Sequence, residues 1–253
     1  NMPKNNSKKT TKAKDEFAYL EIGDSGTKIY DGIINEEYNT ELRGTKGITV
    51  YDEMRKSDAT VRAIMMICTL PIRSAKWYIE PASEDKTDIE IAEFVEKNLM
   101  DKMTITWDDF LRQALLELAF GVMIFEKVYQ ENEGKIELRK LSPRIPRSVV
   151  SWQTSKKEDG IIWSKANGTQ VDIPIEKLLI FVNEKEGDNW WGTSFLRAAY
   201  KHWYFKNNFY KIDAISFERQ GIGIPYVKLP DGANDDDKAT AESLAKNLRG
   251  HER

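Results

Sequence analysis

From Ser194 to Gln220 the chain runs without a proline or a glycine. Thr193 or Ser194 can cap a helix at one end, and Gly221 can stop it at the other. At 1.5 Å per residue, about 26 residues make a rod of roughly 39 Å. Tyr200, Trp203, Tyr204, Phe205, Phe209, Tyr210 and Phe217 all fall on it. They do not share one stripe of the helical wheel, since Tyr204 and Phe205 lie far from Trp203. A helix that is apolar on several sides needs neighbours on more than one side. Those neighbours can be the same chain or other subunits. Trp203, Tyr204, Phe205, Phe209 and Tyr210 are therefore expected to pack in a core or an oligomer contact. One strip is polar: Arg197, Lys201, Asn208 and Arg219 lie within about 40° of each other. It can face DNA or another subunit, pair with acids, or face water.

The rest of the 253-residue chain limits what such a rod belongs to. A hydrophobic fraction of 40% excludes a wholly disordered chain. One cysteine, Cys68, excludes an internal disulfide, and two histidines leave little room for a His-based metal site. Residues 1–16 hold five lysines against Asp15 and Glu16, a net +3, so the remainder carries −6 of the total −3. This segment has almost nothing to bury and reads as a disordered basic arm, either solvated or touching nucleic acid. The most apolar window, Ala63 to Ile72, is about half the roughly 20 residues a membrane span needs.

Asp58 is placed to cap a helix over Ala59–Leu70, with Val61, Ile64, Met65 and Cys68 on one face and Cys68 buried. Pro71 is expected to end or kink it. Trp77–Glu80 reads as a strand. Two amphipathic helices follow: one with Ile91, Val95, Asn98 and Leu99 along a face, the other capped by Thr106 and stopped by Gly121. From Val122 the period changes to two. Strands are expected at 122–130, 135–141, 148–153, 161–165, 170–173 and 178–182, with Asn167-Gly168 marking a tight hairpin. Another is expected at 224–229, followed by a helix that opens on Asp235–Asp237. Helices first and strands later favour α+β with an antiparallel sheet.

Catalytic patterns fail on chemistry. Gly23-Asp24-Ser25-Gly26 matches the tetrapeptide around a serine-protease nucleophile, but no histidine precedes position 202 to act as its base. There is no phosphate-binding loop, no His-Glu-x-x-His and no Cys-x-x-Cys. Asp235–Asp237 lack the spaced ligands of a calcium loop.

Short motifs in order then resemble a family. Tyr51-Asp52-Glu53-Met54 with Ser57-Asp58-Ala59-Thr60-Val61-Arg62-Ala63, and Pro71-Ile72-Arg73-Ser74-Ala75-Lys76-Trp77-Tyr78-Ile79-Glu80-Pro81, resemble the N-terminal wing region of tailed-phage portal proteins of the Mu-like branch. Gly192-Thr193-Ser194-Phe195-Leu196-Arg197 is similar to that family's start of a long helix, with Trp203 and Lys206 at familiar spacing. Phe217-Glu218-Arg219-Gln220-Gly221-Ile222-Gly223-Ile224-Pro225 resembles its Glu-Arg-x-Gly…Pro segment.

The resemblance spans about residues 48–253 and implies a structural protein. It would be a ring homo-oligomer of about twelve subunits at the capsid vertex, a conduit for double-stranded DNA that seats terminase, capsid and head–tail connector proteins. It implies a wing-like α+β domain over 17–192 with helices packed on an antiparallel sheet, a long wing/stem helix over 193–220, and the start of the clip or following region over 221–253. The family continues into a second stem helix, a channel loop and a crown, so this chain is expected to be the N-terminal part of a longer subunit. The expected location is the virion, with assembly in the host cytoplasm. No cofactor, metal or membrane contact is implied. Two alternatives stay open: a carboxylate/Mg²⁺ nucleic-acid enzyme, and a generic α+β interaction module with a basic DNA-contacting arm.

Overall fold

The computed structural model describes residues 25–153, 159–220 and 226–247. The basic arm expected over 1–16 lies outside the described residues. The chain divides into two units, one running to Arg197 and the other starting at Ala198.

The first unit begins with a short hairpin, β1 (Ile29–Tyr30) and β2 (Ile33–Ile34), and a 3-10 turn at Thr40–Leu42. Helices α1 (Gly44–Ser57) and α2 (Ala59–Ser74) follow. Asp58 separates them and caps α2, accepting from Thr60 N at 2.8 Å and Val61 N at 3.2 Å. Pro71 neither ends nor confines α2, which continues three residues past it to Ser74. Proline removes one backbone donor there, while the Ser74 hydroxyl bonds the Pro71 carbonyl at 3.2 Å. Cys68 is exposed, contrary to the buried position expected; on α2 only Val61 is buried. Trp77–Glu80 forms no strand: it has no pairing partner, and the Trp77 indole N–H instead donates to Ile72 O at 3.2 Å.

Helix α3 (Lys86–Lys97) ends in a π turn over Asn98–Lys102. Ala92 rather than Ile91 is its buried residue; Ile91 is 55% exposed. The π turn has a purpose in the sheet. Asn98 is buried, and its amide accepts from Leu138 N (3.0 Å) and donates to Leu138 O (3.2 Å), as a neighbouring strand would. The helix expected between Thr106 and Gly121 is two pieces, α4 (Trp107–Ala114) and α5 (Glu117–Phe120). Gly121 stops it at φ +86, where a Cβ would lie 2.4 Å from Trp191 O, so only glycine fits.

The period-two region forms six strands: β3 (Val122–Asn132), β4 (Lys135–Arg144), β5 (Val149–Gln153), β6 (Gly160–Ser164), β7 (Gln170–Pro174) and β8 (Leu178–Val182). They make two antiparallel three-stranded sheets, β4-β3-β8 and β5-β6-β7. Glu133 and Gly134, both at positive φ, turn β3 into β4. β3 is the central layer. Met123 and Phe125 face Phe110, Leu111 and Ala114 of α4, and Val122 and Ile124 face Trp152, Ile161 and Ile173 of the other sheet. Val122–Phe125 are wholly buried on both faces. This is an α+β architecture in three layers: helices, sheet, sheet.

The second unit holds α6 (Tyr200–Gln220) and α7 (Asp235–Asn247). Tyr226–Leu229 carries no strand; Gly221–Pro225 lies outside the described residues. Asp235–Asp237 occupy the first turn of α7, where Asn234 and Asp237 cap each other (2.8 and 3.2 Å).

Candidate functional site

The long helix starts at Tyr200, six residues after Ser194. At 21 residues, α6 is about 32 Å long rather than the roughly 39 Å expected. The reason is local. The Ser194 hydroxyl donates to Ala119 O at 2.5 Å, and Phe195 N donates to Leu118 O at 2.8 Å. Ser194 and Phe195 are thereby held against α5, and their donors are withdrawn from helical pairing.

This shift takes Arg197 off the helix and out of the polar strip. Its Nε donates to Glu37 Oε2 at 2.5 Å and its Nη2 to Glu37 Oε1 at 2.8 Å, a bidentate pair with both side chains 23% exposed. The hydrogen bonds it donates to the Glu37 carboxylate push the Arg197 pKa further above its usual value, so the guanidinium is permanently charged. Its Cζ also lies 4.8 Å from the Tyr38 ring centre. Arg43 binds the backbone carbonyl of Glu37 with two donors, at 3.1 and 2.9 Å.

Glu37 is the residue that sequence reasoning missed. It lies 160 positions from Arg197 and no local pattern links the two. Together with Ser25 and Thr27 it fixes residues 25–43 as a strap over the loop between β8 and Arg197. Ser25 Oγ donates to Asp188 Oδ2 at 2.5 Å, and Asp188 N donates to Thr27 Oγ1 at 2.8 Å. Beneath the strap lies a cavity of about 380 Å³, with Ile34, Ile48 and Phe120 on its apolar side and Glu36, Glu37 and Arg43 on its polar side. Ser25, the protease-like serine, is part of this fastening.

The other expected residues are on α6. Lys201 is exposed and Asn208 is half-buried; the side chain of Arg219 lies outside the described residues. Of the five aromatics expected to pack, Trp203 is buried, with its indole N–H unpartnered among the described residues. Tyr204, Phe205, Phe209 and Tyr210 are 48–61% exposed, and Ile212, Ile215 and Phe217 are exposed as well. The rings run along the helix in a chain of contacts: Tyr200–Tyr204 at 6.1 Å, Tyr204–Phe205 at 5.9 Å and Phe205–Phe209 at 6.4 Å.

Among the described residues, no group of three or more His, Cys, Asp or Glu is placed to hold a metal ion. Asp235 is paired with Lys238 at 2.9 Å. What α6 and the strap present is apolar and aromatic surface with a few fixed charges. A family model for the portal protein of Mu bacteriophage matches residues 48–252, which takes in α2, both sheets and α6.

Proposed function

The chain belongs to the Mu bacteriophage portal protein family, a family of structural virion proteins, and from that premise we propose that it is a subunit of a ring-shaped oligomer at the capsid vertex. The ring conducts double-stranded DNA during packaging and ejection, and it docks terminase, capsid and head–tail connector proteins. Assembly takes place in the host cytoplasm before the subunit becomes part of the virion.

The observation that carries this reading is the match over residues 48–252, which joins a packed α+β body and an aromatic helix in one assembly-forming family. The exposure of α6 supports it. Seven large apolar side chains from Tyr204 to Phe217 remain at 48–75% exposure, far more than a surface helix of a monomer carries. Charge agrees as well. A body of net charge −6 repels a sliding polyanion rather than gripping it, because each phosphate contact adds affinity through counterion release. Arg197 is committed to Glu37, so the DNA- or subunit-facing role falls to Lys201, Asn208 and Arg219. No described helix is long and apolar enough to cross a membrane.

Native mass spectrometry and negative-stain electron microscopy test the reading. Closed rings of one size are the expected result. A monodisperse monomer at the highest concentration reached overturns it.

A further inference from the structure

We infer that the apolar surface of α2 is a docking face for a second copy of this chain, seated in the groove between α3 and the β3–β4 hairpin tip of that copy; the inference rests on the portal reading and names the contact it uses.

Helix α2 is apolar over roughly 260° of its circumference at 100° per residue; Arg62, Thr69 and Arg73 share the narrow polar strip. Yet Val61 is its one buried residue. Ile64 (45%), Met66 (50%), Ile67 (71%), Leu70 (47%) and Ile72 (38%) stand open, with Trp77 (45%) and Tyr78 (66%) beyond the helix end. At about 200 Å² for a large side chain, these fractions leave roughly 700 Å² of apolar surface uncovered. A stable interface takes about 800 Å² from each partner, and the largest patch on an ordinary monomer is about 300–600 Å².

The helix is also held rigidly. Asp58 fixes its first turn, Arg73 pairs with Asp108 at 2.9 Å near its last, and Trp77 meets Trp107 edge-on at 5.9 Å. A preordered surface of this kind loses little entropy when it is covered.

The chain carries a complement elsewhere on the same unit. Thr87, Glu90, Ile91, Phe94, Lys135 and Ile136 line a shallow groove of about 390 Å³, in which Ile91 is 55% and Ile136 73% exposed. Its charges are matched within the chain: Glu90 pairs with Lys86 at 3.6 Å, and Lys135 lies over the Phe94 ring, so the groove offers apolar contact. An exposed apolar helix thus answers an exposed apolar groove on another element. The two patches lie on different elements, so the contact is head-to-tail, the kind that closes into a ring.

Cys68 is the only thiol in the chain, is exposed, and sits on the same apolar arc. Maleimide labelling of Cys68 across a dilution series, with native mass spectrometry on the same samples, reads the face directly. Labelling is expected to slow by about tenfold or more on assembly. Ile67→Glu and Ile136→Glu should each raise the half-assembly concentration by roughly thirtyfold, with circular dichroism of the monomer unchanged. Mixed together, the two variants should form dimers and stop there, since each keeps one intact patch.

Assembly with Cys68 still reacting at the monomer rate overturns this inference and leaves the portal reading standing. A thiol already shielded in the dilute monomer also overturns it, because the chain's own residues then cover α2. Variants that assemble normally but lose binding to another virion protein assign the face to that protein instead. A chain that never associates overturns the inference and the ring together.

Discussion

Val122–Phe125 of β3 and Ile64–Ile72 of α2 are apolar runs of similar character with opposite fates. The strand is wholly buried, because helix α4 covers one face of its sheet and the β5-β6-β7 sheet covers the other. The helix is covered along one line, at Val61. The lesson is that apolar content sets the demand for burial, while the number of layers available in the chain decides whether that demand is met internally. Where it is not met, the remainder is a surface for other molecules.

Substitutions can break or sharpen this contrast. The largest effect belongs to the satisfied side. Phe125→Ala removes a ring 5.0 Å from Phe110 and 6.1 Å from Phe181, and should cost about 3–5 kcal/mol in urea unfolding. Gly121→Ala comes next, at about 2–3 kcal/mol, since a Cβ at positive φ meets the Trp191 carbonyl. Glu37→Ala, which frees the Arg197 guanidinium in a half-buried site, should cost about 1–2 kcal/mol. A double-mutant cycle with Arg197→Ala should show the two effects to be non-additive.

A smaller effect depends on pH. Burial raises the Glu117 carboxyl above the ordinary carboxylate range. The folded chain then holds that proton longer than the unfolded one, so stability falls as pH rises from the ordinary value to the raised one. Glu117→Gln should raise the thermal midpoint at neutral pH and leave it unchanged well below the carboxylate range. Ile67→Ala should move the monomer's stability by no more than about 0.5 kcal/mol, as expected where nothing is packed. A loss of several kcal/mol there would erase the contrast.

The sheets were legible because their signals are local. Alternation from Val122 onward, Glu133-Gly134 and Asn167-Gly168 each act within a few residues, and the strands follow them closely. Asp58 and Thr106 were legible as caps for the same reason. The start of α6 was not, since a carbonyl 75 positions away holds Ser194 out of the helix. Nor was the exposure of Cys68 and Ile67, because a helix's periodicity states which face is apolar and not whether anything covers it. The strand expected at Trp77–Glu80 had the right composition but no partner to pair with.

The strap fastened by Glu37 and Arg197 also bears on how the chain is made. Its two halves are 160 residues apart, as are, nearly, those of the Ser25–Asp188 bond. At about 5–20 residues per second, the ribosome delivers Arg197 roughly ten to thirty seconds after Glu37. Both three-stranded sheets can form in that interval, since β3 to β8 all precede Arg197. The strap, made before the sheets, is thus secured after them, and the cavity under it stays uncovered until Arg197 arrives.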